Sequence, residues 1–309
     1  LDDWEHLPEL SEDKIGLQNF TWGSPKSKNI DYKVEHPVFS KDENGKPIIL
    51  LHGEPTWGYI YRKFIPELSK SYRVVVPDMM GFGKSETPQD KEYTLKTHVE
   101  NLSRLIDYLK LTNITFVGQD WGGPITAAYS IRNPNKVKSF VLINTLFGYS
   151  KEERPKNLSP WFQWINKHYQ DKTLDGILGE LGSTLLSVMK IPNFTNNNII
   201  NDTWINAYSS QFPDRASCIG AINFPLDALL NKIVPYIVEG IKQGDLKSLC
   251  SKPAVLAYGM KDKAIEPDYA IRAVSYTHLR AHETRGNLEC RLLHEKKKGG
   301  GGGGGGGGG

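Results

Sequence analysis

One short segment carries the residues best suited to chemistry. Residues 114–125 read ITFVGQDWGGPI, a β-branched run followed by Gly118-x-Asp120-x-Gly122 and the start of a helical pattern. The two glycines permit a tight turn between strand and helix, which presents the aspartate beside free backbone N–H groups. A carboxylate is already ionised at neutral pH, so it needs no base before it attacks. The segment indicates a nucleophile that attacks an alkyl carbon rather than an acyl group.

A second segment predicts the partner of this turn. Residues 50–63 read LLHGEPTWGYIYRK, a strand that ends in His-Gly and a polar residue. Such a turn supplies one N–H of an oxyanion hole, so we expect the backbone N–H groups of Glu54 and Trp121 to face one point. The pairing favours a catalytic Asp120 over the alternative that it caps the following helix. The Glu54 side chain can also be explained as a turn residue before Pro55.

The elements around both segments alternate between strands and helices. Strand patterns cover 47–51, 72–78, 114–118, 137–144 and 253–259, and helix patterns cover 95–109, 122–132 and 225–243. This alternation predicts an α/β fold with a mostly parallel sheet flanked by helices. A Trp-rich and Asn-rich helical stretch interrupts it. We therefore predict a first core part at 1–144, a helical cap at 145–223 and a second core part at 224–272.

The net charge, the apolar runs and the cysteine spacing limit the kinds of partner that the sequence predicts. The net charge of +3 comes entirely from residues after 272, so no nucleic-acid or anionic-membrane partner is expected. No apolar run reaches the ~18 residues of a membrane span. The cysteines are too scattered for a disulfide framework or a metal site; they are Cys218, Cys250 and Cys290. We expect a cytoplasmic monomer that uses no cofactor and no metal.

The final segment, 273–309, is predicted to be non-native. It contains VSYTHLRAHET, which resembles a translated sequencing adaptor, and a lysine run followed by eleven glycines. We expect this tail to be disordered and excluded from the fold. The last strand and the last helix of the fold are then expected to be missing.

Several motifs together resemble a known family. HGEPTW, PDMMGFGKSE, GQDWGG, QFPD and GMKDK resemble the haloalkane dehalogenases, which are aspartate-nucleophile members of the α/β-hydrolase fold. The similarity runs from about residue 7 to residue 272. It implies that Asp120 displaces halide from a small apolar haloalkane and forms an alkyl ester, which water then hydrolyses to an alcohol.

The resemblance also implies roles for other side chains. The indole N–H groups of Trp121 and Trp164 match the two donors that hold the departing halide, and Trp161 matches a residue lining the same pocket. Glu54 matches a residue that supports the halide and water sites. Asp262, in the loop after the strand at 253–259, matches the acid that orients a catalytic histidine.

That histidine is not found in the native sequence. In the family it follows one more helix and one more strand after the acid, yet only ten residues, 263–272, follow Asp262 before the tail. The histidines of the tail have no Gly-His turn and no preceding strand pattern; they are His278, His282 and His294. We therefore expect the chain to form the ester on Asp120, release at most one halide and fail to turn over.

Two alternatives stay open. An epoxide hydrolase shares the Asp-Trp-Gly-Gly turn and uses cap tyrosines, for which Tyr149, Tyr169 and Tyr208 are available. A non-catalytic α/β-hydrolase relative acting as a binding protein is the second alternative. It is disfavoured because such a protein does not need both a nucleophile and an acid.

Overall fold

The computed structural model describes residues 45–147, 158–179, 201–262 and 264–267 with their side chains, and the backbone of several strands outside those ranges. The described strands are β1 (Leu17–Gln18), β2 (Thr21–Trp22), β3 (Val34–Glu35), β4 (Val38–Phe39), β5 (Pro47–Leu51), β6 (Arg73–Val75), β7 (Ile114–Gln119), β8 (Val137–Ile143), β9 (Ala254–Gly259) and β10 (Ala281–Gly286). The described α-helices are α1 (Ile65–Leu68), α2 (Leu95–Tyr108), α3 (Gly122–Arg132), α4 (Pro160–Gln170), α5 (Leu174–Leu178), α6 (Asp202–Ser209), α7 (Ile219–Leu229), α8 (Ile233–Gln243) and α9 (Leu246–Cys250).

The central sheet is mostly parallel, as the sequence predicts. Its strand order is β1-β4-β6-β5-β7-β8-β9-β10, and β2 pairs separately with β3. Every pairing from β6 through β10 is parallel, whereas β4 runs antiparallel to both β1 and β6. The carboxyl ends of β5, β7, β8 and β9 lie along one edge of the sheet. That edge is where α/β proteins place their ligand sites.

Strand β5 shows why the sheet is buried on both faces. Ile49 and Leu51 pack into the core cluster that includes the buried faces of α2 and α3. Ile48 and Leu50 point the other way, into a second cluster that contains Tyr61. Successive side chains of a strand alternate between faces, so a continuous apolar run such as PIILL indicates a strand covered on both sides.

Helix α2 follows its predicted pattern. The Thr94 side chain accepts the Thr97 N–H and caps the first turn, and apolar residues at three and four residue steps form the buried face. These residues are Leu95, Val99, Leu102, Leu105 and Ile106. The helix thereby covers one face of the sheet below the Asp120 turn.

Strand β10 corrects the prediction for the end of the chain. Residues 281–286 lie in the segment expected to be disordered, yet their backbone pairs in parallel with all six residues of β9. The position expected to lack a last strand is therefore occupied. A parallel ladder is made of main-chain groups, so the open edge of β9 can accept a segment without a strong strand pattern.

The helices between β8 and β9 differ from the predicted pattern at one point. The single helix expected at 225–243 is two helices, α7 and α8, separated at Asn231, which has a φ of 55°. Asparagine tolerates this left-handed conformation better than most residues. The proposed cap boundary at residue 223 falls inside α7, which packs on α4 and α5.

The described helices are short, and the longest of them, α2, has 14 residues. None of them combines the length and the apolar character that a bilayer crossing demands.

Candidate active site

The Asp120 turn has the predicted geometry. Asp120 lies between β7 and α3 with a φ of 49°, and its backbone N–H donates to the Asn144 carbonyl at 3.2 Å. A Cβ atom on Gly122 would lie 2.2 Å from the Leu51 carbonyl oxygen, so only glycine fits there. The Thr145 hydroxyl donates to the Asp120 carbonyl. The turn is therefore fixed by the neighbouring strand ends.

Both predicted backbone donors meet at the Asp120 carboxylate. The Glu54 N–H donates to Oδ1 at 2.9 Å, and the Trp121 N–H also bonds the carboxylate. The carboxylate itself thus occupies the position where an oxyanion hole would act. Donors of this kind stabilise negative charge on the oxygen that they bind.

The loop before Glu54 is held by the His52 side chain. The buried His52 ring donates from Nδ1 to the Gly53 carbonyl at 3.0 Å and accepts the Met79 N–H at Nε2 at 2.9 Å. Burial lowers the pKa of His52 to about 4, so the ring is neutral, as its accepting Nε2 requires. A Cβ on Gly53 would lie 2.2 Å from the Asp120 Cβ. His52 is therefore a structural residue.

Two carboxyl groups share this site. Burial raises the pKa of Asp120 to about 6; the two backbone N–H groups lower it, and the charge of Asp262 raises it further. Burial, followed by the charge of Asp120, raises the pKa of Glu54 well above its usual range. The Glu54 Oε1 atom is buried and has no hydrogen-bond partner among the described residues. At neutral pH Asp120 is therefore ionised, and its charge together with burial favours the protonated form of Glu54.

Asp262 lies in the loop after β9 and is fixed at both oxygens. Its Oδ1 accepts the N–H groups of Ala264 and Ile265 at 2.8 and 3.0 Å. Its Oδ2 accepts the Asn144 side-chain amide at 2.6 Å. Asp262 and Asp120 are close enough for the charge of one to raise the pKa of the other. The structure thus brings the predicted nucleophile and the predicted acid to the same sheet edge.

Asn144 connects the two acids and was not predicted. It lies just after β8 with a φ of 42°. Its carbonyl binds the Asp120 N–H, its amide nitrogen binds Asp262, and its side-chain oxygen accepts the Gly259 N–H at 3.1 Å. The available signal was a polar residue at the carboxyl end of a parallel strand, where functional residues of α/β sheets gather.

Trp121 has a second unpredicted neighbour. Its ring is nearly buried and stacks on Phe224 of α7, with centroids 4.5 Å apart and planes 11° apart. The indole N–H has no acceptor among the described residues, whereas that of Trp57 donates to the Ala207 carbonyl at 3.0 Å. Phe224 sits in an apolar helical run, and nothing in that pattern separates it from ordinary core residues.

Trp161 and Trp164 lie together on α4. Their rings stack at 5.5 Å in an apolar cluster that also contains Leu226 of α7 and Ala264, two residues after Asp262. The cluster therefore borders the Asp262 loop. Neither indole has a described ring contact or hydrogen bond with Trp121, so the predicted pairing of Trp164 with Trp121 around a halide stays a prediction.

No described histidine contacts Asp120 or Asp262. His98 is buried on α2 between Tyr93 and Phe224, and burial lowers its pKa to about 3. His168 packs against Trp164 on α4. His278 and His294 lie outside the described residues, and His282 is described only as backbone in β10.

The tyrosines considered for epoxide chemistry have other contacts. Tyr208 is buried against Tyr59 and Trp204. Tyr169 is exposed and lines a cavity of about 640 Å³ together with Lys172 and Arg215, apart from the Asp120 turn. Tyr149 lies outside the described residues.

Among the described residues, no cluster of three His, Cys, Asp or Glu side chains has the arrangement to hold a metal ion. Cys218 and Cys250 are both free thiols.

Comparison with family models gives two matches. A model described as alpha/beta hydrolase fold matches residues 46–280. A second model, described as CsiD, matches residues 1–54. The first match covers strands β5, β6, β7, β8 and β9 and both acids of the site.

Individual relatives narrow the family. A haloalkane dehalogenase of Psychrobacter cryohalolentis is 34% identical over 204 residues, which is 65% of this chain and 61%, less than two thirds, of that protein. Haloalkane dehalogenase 2 of Mycobacterium bovis is 30% identical over 75% of this chain and 77% of its own length. A cis-3-alkyl-4-alkyloxetan-2-one decarboxylase of Shewanella oneidensis is 27% identical over 79% of this chain and 76% of its own length.

A solved structure agrees with these relatives in fold. The tetrameric haloalkane dehalogenase of Paraglaciecola agarilytica NO2 superposes with a TM-score of 0.69 at 24% identity, covering 90% of this chain and 87% of that one. The chain belongs to the α/β-hydrolase fold family and, within it, to the haloalkane dehalogenases.

Proposed function

We propose that the protein cleaves carbon–halogen bonds of haloalkanes with Asp120 as the nucleophile. The observation that carries the proposal is the 2.9 Å hydrogen bond from the Glu54 N–H to Oδ1 of Asp120. With one oxygen held by a backbone donor, the carboxylate has a fixed orientation. Oδ2 is the oxygen proposed to attack a substrate carbon in line.

In the first step, a lone pair on Asp120 forms a C–O bond to the halogen-bearing carbon. The carbon–halogen bond breaks, its electron pair leaves with the halide, and the product is an alkyl ester of Asp120. The indole N–H of Trp121, which has no acceptor among the described residues, would bind the departing halide. Trp164 is proposed as the second donor and Trp161 as a wall of the same pocket.

In the second step, water adds to the ester carbonyl carbon. The electron pair of the C=O bond moves to oxygen, and the N–H groups of Glu54 and Trp121 would stabilise that charge. Collapse of this intermediate breaks the bond between the carbonyl carbon and the alkoxide oxygen. One proton of the water passes to the alkoxide to give the alcohol, the other leaves through the base to solvent, and the carboxylate is restored. The Glu54 side chain is proposed to support the water site, and Asp262 is suited to orient a histidine base.

We propose that this chain stops at the ester. A base for the second step needs hydrogen-bond reach to the attacking water, and His52, His98 and His168 all have other contacts. An ester on Asp120 would then persist after one halide has left.

Incubation of the full chain with 1-bromobutane tests both proposals. We expect one bromide per protein and one butyl group, found by intact mass and mapped by peptide analysis to Asp120. The Asp120→Asn variant should release none. Asp175→Ala, which changes an exposed carboxylate on α5, is the matched control and should behave like the parent.

Two outcomes would contradict these proposals separately. Continuous bromide release would show that a base acts in this chain, and the arrest at the ester would be wrong. Absence of both bromide and butylated protein, in folded protein, would remove Asp120 as a nucleophile toward haloalkanes. That second outcome would leave a non-catalytic binding protein and the two other candidate activities below.

A second candidate function is decarboxylation of oxetan-2-ones, because one of the relatives is named as such a decarboxylase. The substrate also offers an alkyl carbon bonded to a leaving oxygen, which a fixed carboxylate can attack. Release of carbon dioxide from a cis-3-alkyl-4-alkyloxetan-2-one without bromide release from 1-bromobutane would favour this candidate.

Epoxide hydrolysis is less well supported. The tyrosine that would protonate an epoxide oxygen must reach the site, and Tyr208 packs instead against Tyr59 and Trp204. Diol formation from 1,2-epoxyhexane would restore this alternative.

The assembly state is a separate proposal. The chain is proposed to be a monomer, although the relative of Paraglaciecola agarilytica is described as tetrameric. Light scattering of the purified chain distinguishes the two states.

A further inference from the structure

Helix α7 rests on the core through three contacts on one side. Near its N-terminus, Gly220 approaches Gly81 and Phe82 so closely that an added Cβ would lie 2.9 Å from the Phe82 ring. In its middle, Phe224 stacks on Trp121. Near its C-terminus, Asp227 reaches the first turn of α2. The helix therefore connects the ring of the proposed halide donor to a distant polar anchor.

The anchor is a buried carboxylate at a helix terminus. Asp227 is 3% exposed, and its Oδ2 accepts the Leu95 N–H at 2.8 Å. That N–H is one of the donors that a helix leaves without an intrahelical acceptor, and negative charge is favoured there. Lys232 and Glu92 are the charged side chains that act on Asp227. This hydrogen bond joins α7 directly to α2.

The Asp227–Leu95 hydrogen bond and the Phe224–His98 ring contact join α7 to α2 at two points. Asp227 lies one turn after Phe224 on α7, and Leu95 lies one turn before His98 on α2. The Phe224 and His98 ring centroids lie 4.5 Å apart. Phe224 and Asp227 of α7 therefore contact His98 and Leu95 of α2. Because residues three apart share a helix face, movement at the Asp227–Leu95 bond is transmitted to Phe224 through one helical turn.

Helix α7 needs such an anchor because it contains Pro225. Proline inside a helix lacks a backbone N–H and crowds the carbonyl four residues earlier, which weakens the helix by about 3 kcal/mol. The missing bond would have reached the Ala221 carbonyl, so the weak point lies in the turn that leads into Phe224. External contacts must therefore fix the orientation of both turns.

We propose that Asp227 is a positioning residue for Trp121: by binding the first N–H of α2 it holds α7 so that Phe224 packs flat on the indole and aims its N–H at the halide. The role of Trp121 rests on the proposed function, whereas the packing of Phe224 on Trp121 does not. Asp227 touches neither substrate nor Asp120.

The test measures bromide binding and ring packing in the full chain. Bromide affinity is read from quenching of tryptophan fluorescence, with Trp121→Phe subtracted, and packing from the near-ultraviolet circular dichroism that Trp121 contributes. Asp227→Ala should weaken bromide binding about tenfold, the scale of one charge-assisted hydrogen bond, and should reduce the Trp121 signal. Asp227→Asn, which keeps an oxygen acceptor for the Leu95 N–H, should restore both.

Thr94→Ala is the matched control. It removes the other side-chain cap of the same helix end and should lower the melting temperature as much as Asp227→Ala does, because both expose one N–H of α2. It leaves α7 untouched, so bromide affinity and the Trp121 signal should not change. If Asp227→Ala does not fold, Asp227→Glu replaces it. This variant keeps the charge but shifts the acceptor by one methylene, and it should also weaken both readouts.

The outcomes separate the inference from the proposed function. If the parent chain binds no bromide but Asp227→Ala still loses the Trp121 signal, the halide role is wrong and the positioning role stands. If Asp227→Ala and Asp227→Glu leave both readouts unchanged, or Thr94→Ala alters them equally, Asp227 stabilises the fold in a general way and the inference is wrong.

Discussion

At the scale of residues, the chemistry of the site depends on how its buried carboxyl groups shift one another's pKa. Burial and Asp262 raise the pKa of Asp120, and two backbone N–H groups oppose the rise, so its pKa reaches about 6. A carboxylate with a raised pKa is a better nucleophile than an ordinary aspartate, while it remains ionised at neutral pH.

The first prediction concerns the pH dependence of ester formation. Only ionised Asp120 attacks, so the rate of the first bromide release should fall as the pH drops below about 6 and reach about a tenth of its plateau at about pH 5. Rapid-quench measurement of bromide across this range tests the prediction. Circular dichroism at each pH serves as the control for folding. A rate that stays constant down to about pH 4 would mean that the pKa of Asp120 lies well below about 6.

The second prediction concerns stability. A raised pKa means that ionised Asp120 destabilises the fold; the cost is absent below about pH 4 and complete above about pH 6. Asp120→Asn should therefore stabilise the protein at about pH 8 by about 2 kcal/mol, after allowance for partial solvent screening. Urea unfolding of both proteins should show this difference shrinking as the pH falls. A variant that is less stable at high pH would contradict it.

At the scale of elements, the ends of β7, β8 and β9 hold the site through Asn144. The third prediction is that Asn144→Ala lowers the free energy of unfolding by about 3 kcal/mol, because two side-chain hydrogen bonds are lost and alanine is strained at positive φ. Asn144→Gly, which removes the bonds but not the conformation, should cost about 1 kcal/mol less. Equal costs in denaturant unfolding would show that backbone strain contributes nothing here.

The fourth prediction concerns the glycines of helices. Gly122→Ala should destabilise by about 3 kcal/mol or more, because its Cβ would overlap the β5 backbone and could not be accommodated by a side-chain movement. Gly176→Ala in α5 has nothing within 4 Å of the added atom and should stabilise by about 0.5 kcal/mol. Thermal unfolding of the two variants compares them directly; similar melting temperatures would refute the tight β5–α3 approach.

The elements also show which features a sequence can reveal. The strands and α2 follow from periodic apolar patterns, and the Asp120 turn follows from Gly118 and Gly122. Asn144, Phe224 and Asp227 act through contacts with residues far along the chain, which no local pattern encodes. The break at Asn231 was missed because apolar periodicity continues on both sides of it. The pairing of Trp164 with Trp121 remains a prediction based on resemblance.

At the scale of the whole molecule, β10 extends the sheet beyond β9. Sequence reasoning failed here because pairing by main-chain groups needs little from side chains. The fifth prediction is that backbone amides of residues 281–286 and 254–259 exchange slowly with deuterium together, since each strand protects the other. Mass spectrometry of peptides from the full chain tests this, with the loop at 89–92 as a fast reference. Rapid exchange in 281–286 would show that β9 is the sheet edge.

The left-handed backbone at Asp120 and Asn144 determines which substitutions these two positions can accept. A library of random variants selected only for folding should accept glycine or asparagine at residue 120, because either relieves the left-handed strain and asparagine also removes the buried charge. The same library should retain asparagine at residue 144, whose side-chain amide binds both Asp262 and the Gly259 N–H. Aspartate at residue 120 would then survive only under selection for chemistry, so the two positions would record different histories of selection.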